Sequence, residues 1–116
     1  MIHVKRTFSA ATHTALAILC LVALLGAPAR ADDNQVLQIK QTFDPGAMDI
    51  AAGASVTFVN ADDVNHNLQS VAPDGAKVDH GVEKPGETTV IAFQTAGVYS
   101  IICGIHPRMK MKVTVH

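Results

Sequence analysis

Residues 93–109, with the sequence FQTAGVYSIICGIHPRM, decide the fold of this chain. A turn residue, Gly97, precedes a β-rich run that ends at Cys103, and a short loop then leads through His106 to Met109. A tight loop after a strand can point side chains three residues apart at one centre, and here these side chains are a thiol, an imidazole and a thioether. The stretch therefore predicts a strand that ends in a metal-binding loop.

The remainder of residues 32–116 repeats this β-rich pattern. Short segments with β-branched or alternating apolar residues are separated by Pro, Gly and Asp about every 8–12 positions, and no stretch keeps a helical period. The segments predicted as strands are residues 36–43, 48–50, 55–60, 66–71, 88–93, 98–103 and 109–116. They predict an all-β domain of about seven to eight short strands, built as a β-sandwich or a small barrel.

The first 31 residues predict a signal peptide. Lys5 and Arg6 form a basic start, residues 15–25 are an unbroken apolar run of eleven, and Ala29 and Ala31 stand where a signal peptidase reads small residues. A run of eleven is well short of the ~20 residues that span a bilayer, which disfavours a membrane anchor. We expect cleavage after Ala31, which divides the chain into a leader, residues 1–31, and one domain, residues 32–116.

The composition of the chain argues against several classes of function. The 116 residues carry a formal net charge of −1, and residues 32–116 hold six Lys and Arg against ten Asp and Glu, so the expected mature domain has a charge of −4. This balance, with 4% aromatic residues and no Trp, disfavours a nucleic-acid binder. The domain is also too short for a two-lobed enzyme with a cleft, and we expect that it is not an enzyme.

One cysteine remains in the expected mature domain, because Cys20 leaves with the leader. In an oxidising compartment a lone thiol is a liability unless it is buried or coordinated to a metal. With His66, which begins a predicted strand, Cys103 joins His106 and Met109 in a Cys-His₂-Met set, which is the blue-copper arrangement. A structural zinc site fits less well, because zinc sites use four Cys or His ligands rather than a thioether.

The metal loop and its surroundings resemble those of cupredoxins, and most closely those of amicyanins. The resemblance is carried by the C-x-x-H-P-x-M loop at residues 103–109, by the His66-Asn67 pair, by residues 93–99 with a corner tyrosine at Tyr99, and by residues 53–60 (GASVTFVN). It covers nearly all of residues 32–116. It implies a Greek-key β-sandwich with one type 1 copper ion per chain, which alternates between Cu(I) and Cu(II).

The resemblance also assigns the copper ligands. It implies that His66, Cys103 and His106 are equatorial ligands and that Met109 is the axial ligand. Met111 is the alternative, because plastocyanins and pseudoazurins place their methionine two residues further from the histidine. The spacing to the following K-V-x-V strand favours Met109.

The resemblance also implies roles for residues next to the candidate ligands. Asn67 is implied to donate its backbone N–H to the Cys103 sulfur and to tie the two ligand loops together with its side chain. Ile105 stands where amicyanins have Pro, and we expect its N–H to be a further donor near the sulfur. The pair Asp62-Asp63 is interpreted as a solvated turn, and the alternative is that it repels an acidic partner or attracts a basic one.

The implied function is single-electron transport in the periplasm between larger redox proteins, such as a donor dehydrogenase and an acceptor cytochrome or oxidase. His106 is implied to reach the surface in an apolar patch with Ile105 and Pro107. We expect a monomer with no membrane span after cleavage and no nucleic-acid partner. The alternative is a periplasmic copper chaperone that transfers the metal ion rather than electrons.

Positive charge lies in the metal loop at Arg108 and directly after it at Lys110 and Lys112. These cations either orient a redox partner or simply form the solvent-exposed face of a strand. The sequence leaves both interpretations open.

Overall fold

Nine strands in two sheets form the part of the chain that the structure describes. The computed structural model describes residues 34–116, so the leader predicted for residues 1–31 lies outside it. The strands are β1 (Gln35–Ile39), β2 (Thr42–Asp44), β3 (Ala47–Ile50), β4 (Ser55–Asn60), β5 (His66–Val71), β6 (Lys77–Glu83), β7 (Thr88–Ala92), β8 (Gly97–Cys103) and β9 (Lys110–Val115). None of the described residues forms a helix that is long and apolar enough to cross a membrane.

The two sheets pack face to face as a sandwich. One sheet has the order β2-β1-β4-β7 and the other has the order β3-β9-β8-β5-β6. The β1–β4 and β3–β9 pairs are parallel and the other pairs are antiparallel. Five of the eight connections, β2–β3, β3–β4, β4–β5, β6–β7 and β7–β8, switch between the sheets and therefore cross an end of the sandwich. This arrangement confirms the predicted all-β, Greek-key class.

Alternating side chains place the core between the sheets. In β4, Val56 and Phe58 are fully buried, and in β9 the buried positions are Met111, Val113 and Val115. Side chains of this kind each contribute about 1.5–3 kcal/mol when they are fully buried. A one-residue slip in either strand would turn its apolar row to solvent, so the core fixes the register of the sheets.

The register of three strands brings the predicted metal residues to one end of the five-stranded sheet. Strand β5 runs antiparallel to β8 with Leu68 opposite Cys103, so the start of β5 lies beside the end of β8. On its other side, β5 pairs with β6 and His66 lies opposite Glu83. Residues 104–109 then connect β8 to β9 across this same end.

The corner tyrosine that the resemblance implied lies near the start of β8. The Tyr99 hydroxyl donates a hydrogen bond of 3.0 Å to the carbonyl of Thr95, and its ring packs edge-on against Phe93 with centroids 5.0 Å apart. Gly97 has a φ of 137°, and a Cβ there would overlap the ring of Pro73. These contacts fix the entry into the strand that ends at Cys103.

Two features of the fold differ from the sequence-based prediction. Residues 36–43, predicted as one strand, form a hairpin whose turn is Lys40-Gln41, with φ values of 53° and 54°. Strand β6 was not predicted at all. It lies at a sheet edge, most of its side chains are exposed, and its pairing with β5 shifts between Leu68 and Gln69. The described residues therefore contain nine strands rather than seven or eight.

Candidate metal centre

Three side chains bring their potential ligand atoms together at the end of the five-stranded sheet. The Nδ1 atoms of His66 and His106 are 3.1 Å apart, and the Cys103 Sγ lies 3.8 Å from the first and 3.6 Å from the second. All three atoms lie within 4.8 Å of one another. The sequence separates His66 from the other two by more than 35 positions, so the sheet register brings them together.

The spacing of these atoms fits one metal ion of the borderline class. Metal–nitrogen and metal–sulfur bonds of about 2.0 and 2.3 Å put the ligand atoms of a trigonal set about 3.5–3.7 Å apart. The two sulfur–nitrogen distances match this spacing, and the nitrogen–nitrogen distance is a few tenths of an ångström shorter. One thiolate and two imidazoles in a trigonal arrangement suit copper.

Asp62 orients the ring of His66. Its Oδ2 lies 2.7 Å from His66 Nε2, and because a carboxylate only accepts, Nε2 must carry a proton. In the neutral ring Nδ1 then has its lone pair free and aimed at Cys103 and His106. Carboxylates in this position fix the tautomer of a metal-binding histidine. Asp62 is therefore part of the site, and its interpretation as a solvated turn is wrong.

The same carboxylate also holds the β1–β2 turn. Asp62 accepts hydrogen bonds from the backbone N–H groups of Lys40 and Gln41. Burial acts to raise the pKa of Asp62, but the hydrogen bonds from Gln41, His66 and Lys40 outweigh it and hold this pKa below its usual value. An ionised Asp62 thus connects a turn of one sheet to a histidine of the other.

The Cys103 sulfur is buried and accepts one backbone hydrogen bond. Cys103 is 4% exposed, and the Asn67 N–H lies 3.3 Å from its Sγ, as the resemblance implied. The Asn67 carbonyl accepts the Gly104 N–H at 2.9 Å. The Asn67 side chain, however, donates to Asp79 and Gly81 on β6, so the expected side-chain link between the two ligand loops is wrong. The backbone makes that link.

The expected second donor to the sulfur is also absent from the described residues. Within residues 34–116, Asn67 supplies the backbone N–H that reaches the Cys103 sulfur, whereas the Ile105 side chain is 48% exposed. Ile105 therefore contributes exposed apolar surface beside His106 rather than a hydrogen bond to sulfur.

The two methionines occupy different positions. Met109 lies in the loop, is 1% exposed, donates its N–H to the His106 carbonyl at 3.0 Å, and accepts from the Cys103 N–H at 3.2 Å. Met111 is 4% exposed, lies within β9 opposite Ile101, and belongs to the buried row of that strand. Only Met109 is hydrogen-bonded through its backbone to two of the candidate ligands.

Substitution of Gly104 by alanine is expected to destabilise the loop by about 2 kcal/mol, within the range for overpacked sites. A Cβ at Gly104 would overlap the Asn67 amide oxygen and lie 2.6 Å from the Gln69 amide nitrogen, and these two groups are hydrogen-bonded to each other at 2.7 Å. Urea denaturation measures the loss. Gly46→Ala is the matched control, because its nearest contact would be an ordinary 3.9 Å. Equal stability of the two variants would contradict the prediction.

A buried amide–acid pair lies behind His66 and was not identified from the sequence. Gln38 is 0% exposed and Glu83 is 3% exposed, and the Gln38 Nε2 donates to Glu83 Oε1 at 2.7 Å. Gln38 Oε1 and Glu83 Oε2 have no hydrogen-bond partner. Burial raises the pKa of Glu83 against the opposing effect of the Gln38 hydrogen bond. Both unpartnered atoms are acceptors when Glu83 is ionised, so the pair lacks a hydrogen-bond donor in that state.

Glu83→Gln is expected to raise the free energy of unfolding at neutral pH by about 1 kcal/mol. The variant removes a buried carboxylate and supplies an amide N–H where an unpartnered acceptor now lies. Chemical denaturation at neutral pH checks the gain, and Glu87→Gln, at an exposed position of the turn that follows β6, is the control. A loss of stability in Glu83→Gln would mean that the pair depends on an ionised carboxylate.

Comparisons with known proteins agree with the fold and the donor set. A family model described as "Copper binding proteins, plastocyanin/azurin family" matches residues 30–116. Amicyanin-alpha of Methylorubrum extorquens is 35% identical over 105 residues, which cover 87% of this chain and 85% of that protein. Plastocyanin of Ulva arasakii is 32% identical over 81 residues, covering 63% of this chain and 83% of that protein. The solved Cu(I) form of an amicyanin mutant has a TM-score of 0.66 and 27% identity, covering 72% of this chain and 81% of that chain.

The chain belongs to the plastocyanin/azurin family of copper-binding proteins. Among its relatives it is similar to the amicyanins in both sequence and structure. The predicted cupredoxin resemblance and copper cofactor are confirmed. The assignment of individual ligands stays a prediction and is taken up next.

Proposed function

We propose that this protein is a periplasmic carrier of single electrons that holds one type 1 copper ion. The observation that carries the proposal is the meeting of two imidazole Nδ1 atoms and one thiol within 4.8 Å. His66, Cys103 and His106 would be the equatorial ligands and Met109 the axial one. When bound, copper supplies a one-electron Cu(I)/Cu(II) couple.

The backbone contacts of the two methionines support Met109 as the axial ligand. Its N–H and carbonyl bond to His106 and Cys103, so its position is coupled to both. Met111 instead lies on the buried face of β9 together with Val113 and Val115. We assign Met111 to the core.

The surroundings of the ligands suit a carrier because they hold the ligand atoms in place. Asp62 fixes the His66 ring, the Asn67 N–H fixes the Cys103 sulfur, and the Gly104 N–H closes the loop onto the Asn67 carbonyl. Ligands held by packing and hydrogen bonds keep one geometry in both oxidation states, so little reorganisation accompanies electron transfer.

His106 is the ligand through which we expect partners to exchange electrons. His66 and Cys103 are buried, whereas His106 is half-buried and lies between exposed Ile105 and Pro107. A partner that covers this apolar patch comes nearest to the metal centre at the His106 ring. A small contact, below about 1,200 Å², suits rapid exchange of partners.

The location and the partners belong to the same proposal. Residues 1–31 would direct export and be removed, leaving residues 32–116 as a monomeric periplasmic domain. Its partners would be a donor dehydrogenase and an acceptor cytochrome or oxidase. The similarity to amicyanin supports this class of partner without identifying one.

The test expresses the full chain in a host with a periplasm, purifies the product and loads it with Cu(II). We expect an N-terminus at Asp32, an intense blue absorption band, and a reversible one-electron couple in voltammetry. A colourless Cu(II) protein would overturn the type 1 site. A coloured protein that gives copper rapidly to a metal-free acceptor and shows no reversible couple would favour the copper chaperone.

A further inference from the structure

We propose that a cationic groove beside His106 docks an acidic segment of the redox partner. The cationic groove is formed by the β1–β2 turn and the metal loop, and has a volume of about 520 Å³; its lining residues are Lys40, Gln41, Thr42, His106, Pro107 and Arg108. The inference rests on the proposed function, because it concerns the surface at which that carrier meets its partner.

The charge of the groove is opposite to that of the domain. Residues 32–116 have a formal charge of −4, yet four of their six Lys and Arg residues belong to the β1–β2 turn, the metal loop or the start of β9. Lys40 and Arg108 line the groove from its two sides, and Lys110 and Lys112 follow on the exposed positions of β9. A local positive surface on an acidic domain favours approach of a negatively charged partner in one orientation.

The nearest carboxylate does not cancel this charge. The Asp62 side chain is 10% exposed, and its two oxygens accept from Lys40 N–H, Gln41 N–H and His66 Nε2. Its charge is therefore directed at the turn backbone and the histidine, whereas the Lys40 side chain remains on the groove. Asp63 is exposed but is not among the residues that line the groove.

The groove is also preorganised for docking. Both left-handed turn residues are hydrogen-bonded to Asp62, and the Thr42 hydroxyl donates to the Ile39 carbonyl at 2.8 Å. The opposite wall is the loop closed by the Met109–His106 bond. Carboxylates bound between Lys40 and Arg108 would therefore hold a partner against the half-buried His106 ring, with little loss of conformational freedom.

The experiment titrates the diamagnetic Cu(I) protein with octaglutamate and, separately, octalysine, and follows backbone amides by NMR. We expect octaglutamate to shift the amide signals of residues 40–42, Ile105, His106 and Arg108, and octalysine to leave them unchanged. Arg108→Glu is expected to weaken octaglutamate binding by about tenfold, since it removes one attraction and adds one repulsion. Lys77→Glu is the matched control, because it makes the same charge change opposite Val71, at the far end of β5 from His66.

A functional readout accompanies the titration. Octaglutamate should slow oxidation of the Cu(I) protein by hexacyanoferrate(III), and the inhibition should disappear near 1 M salt, where screening extends only about 3 Å. Shifts spread over the whole surface, or equal weakening in Arg108→Glu and Lys77→Glu, would overturn the inference. Failure of the proposed function would show differently, as a protein without a blue Cu(II) form. The docking inference can still be tested in that case, because the NMR titration can be run on the metal-free full chain.

Discussion

Cys103→Ser is expected to abolish the blue absorption of the Cu(II)-loaded protein. The Cys103 sulfur is the one thiol among the three converging donors, and it lies 3.6–3.8 Å from both imidazole nitrogens in a 4% exposed position. A serine hydroxyl nearly preserves the volume, but it does not ionise at neutral pH and offers a harder donor than a thiolate. Visible absorption and EPR spectra of the two proteins at equal copper loading measure the effect.

Two methionine variants serve as controls for this result. Met111→Leu should keep the colour and the EPR spectrum, because it conserves the volume of a core position and costs less than about 1.5 kcal/mol. Met109→Leu should also remain blue, but its reduction potential should change because the variant removes the proposed axial ligand. A blue Cys103→Ser protein would refute the thiolate assignment. A changed potential in Met111→Leu with an unchanged one in Met109→Leu would exchange the two methionines.

The sequence predicted those parts of the site that depend on patterns between residues close together in the chain. The Cys103–Met109 loop has its candidate ligands three residues apart, and β4 and β9 have alternating apolar rows that define their faces. Alternation fixes which side chains face the core, and the strand that ends at Cys103 positions the loop. His66 could be proposed because it is the first residue of a predicted strand. Its meeting with Cys103 depends on the β5–β8 pairing.

The parts that the sequence did not predict depend on distant contacts. A Lys-Gln pair is a poor candidate for a left-handed turn, and the hairpin at Lys40-Gln41 is held by Asp62, more than 20 residues away. Strand β6 has mostly exposed side chains and a glycine with φ of 96° at Gly81, so it lacks the apolar alternation that marks a strand. The Gln38–Glu83 pair joins two sheets, and neither residue type predicts burial.

Asp62→Ala is expected to lower both the stability of the fold and the affinity for copper. Hydrogen bonds to a charged group contribute about 1.5–3 kcal/mol each, and partial replacement by water leaves an expected net loss of about 3 kcal/mol for the three contacts of Asp62. Loss of the partner of a metal-binding histidine typically weakens metal binding by about 10–100-fold. Urea denaturation of the metal-free protein measures the first effect, and competition with a copper chelator measures the second.

Two further variants separate the roles of the Asp62 carboxylate. Asp62→Asn keeps one oxygen at the position of Oδ2, which can accept from both His66 Nε2 and the Gln41 N–H, so it should retain more copper affinity than Asp62→Ala while losing the contact to the Lys40 N–H. Asp63→Ala, at the exposed neighbouring position, should match the parent protein in both measurements. If Asp62→Ala lost stability but bound copper as tightly as the parent protein, the carboxylate would hold the turn without orienting His66. Equal losses in Asp62→Ala and Asp63→Ala would instead reduce the effect to the removal of one negative charge near the site.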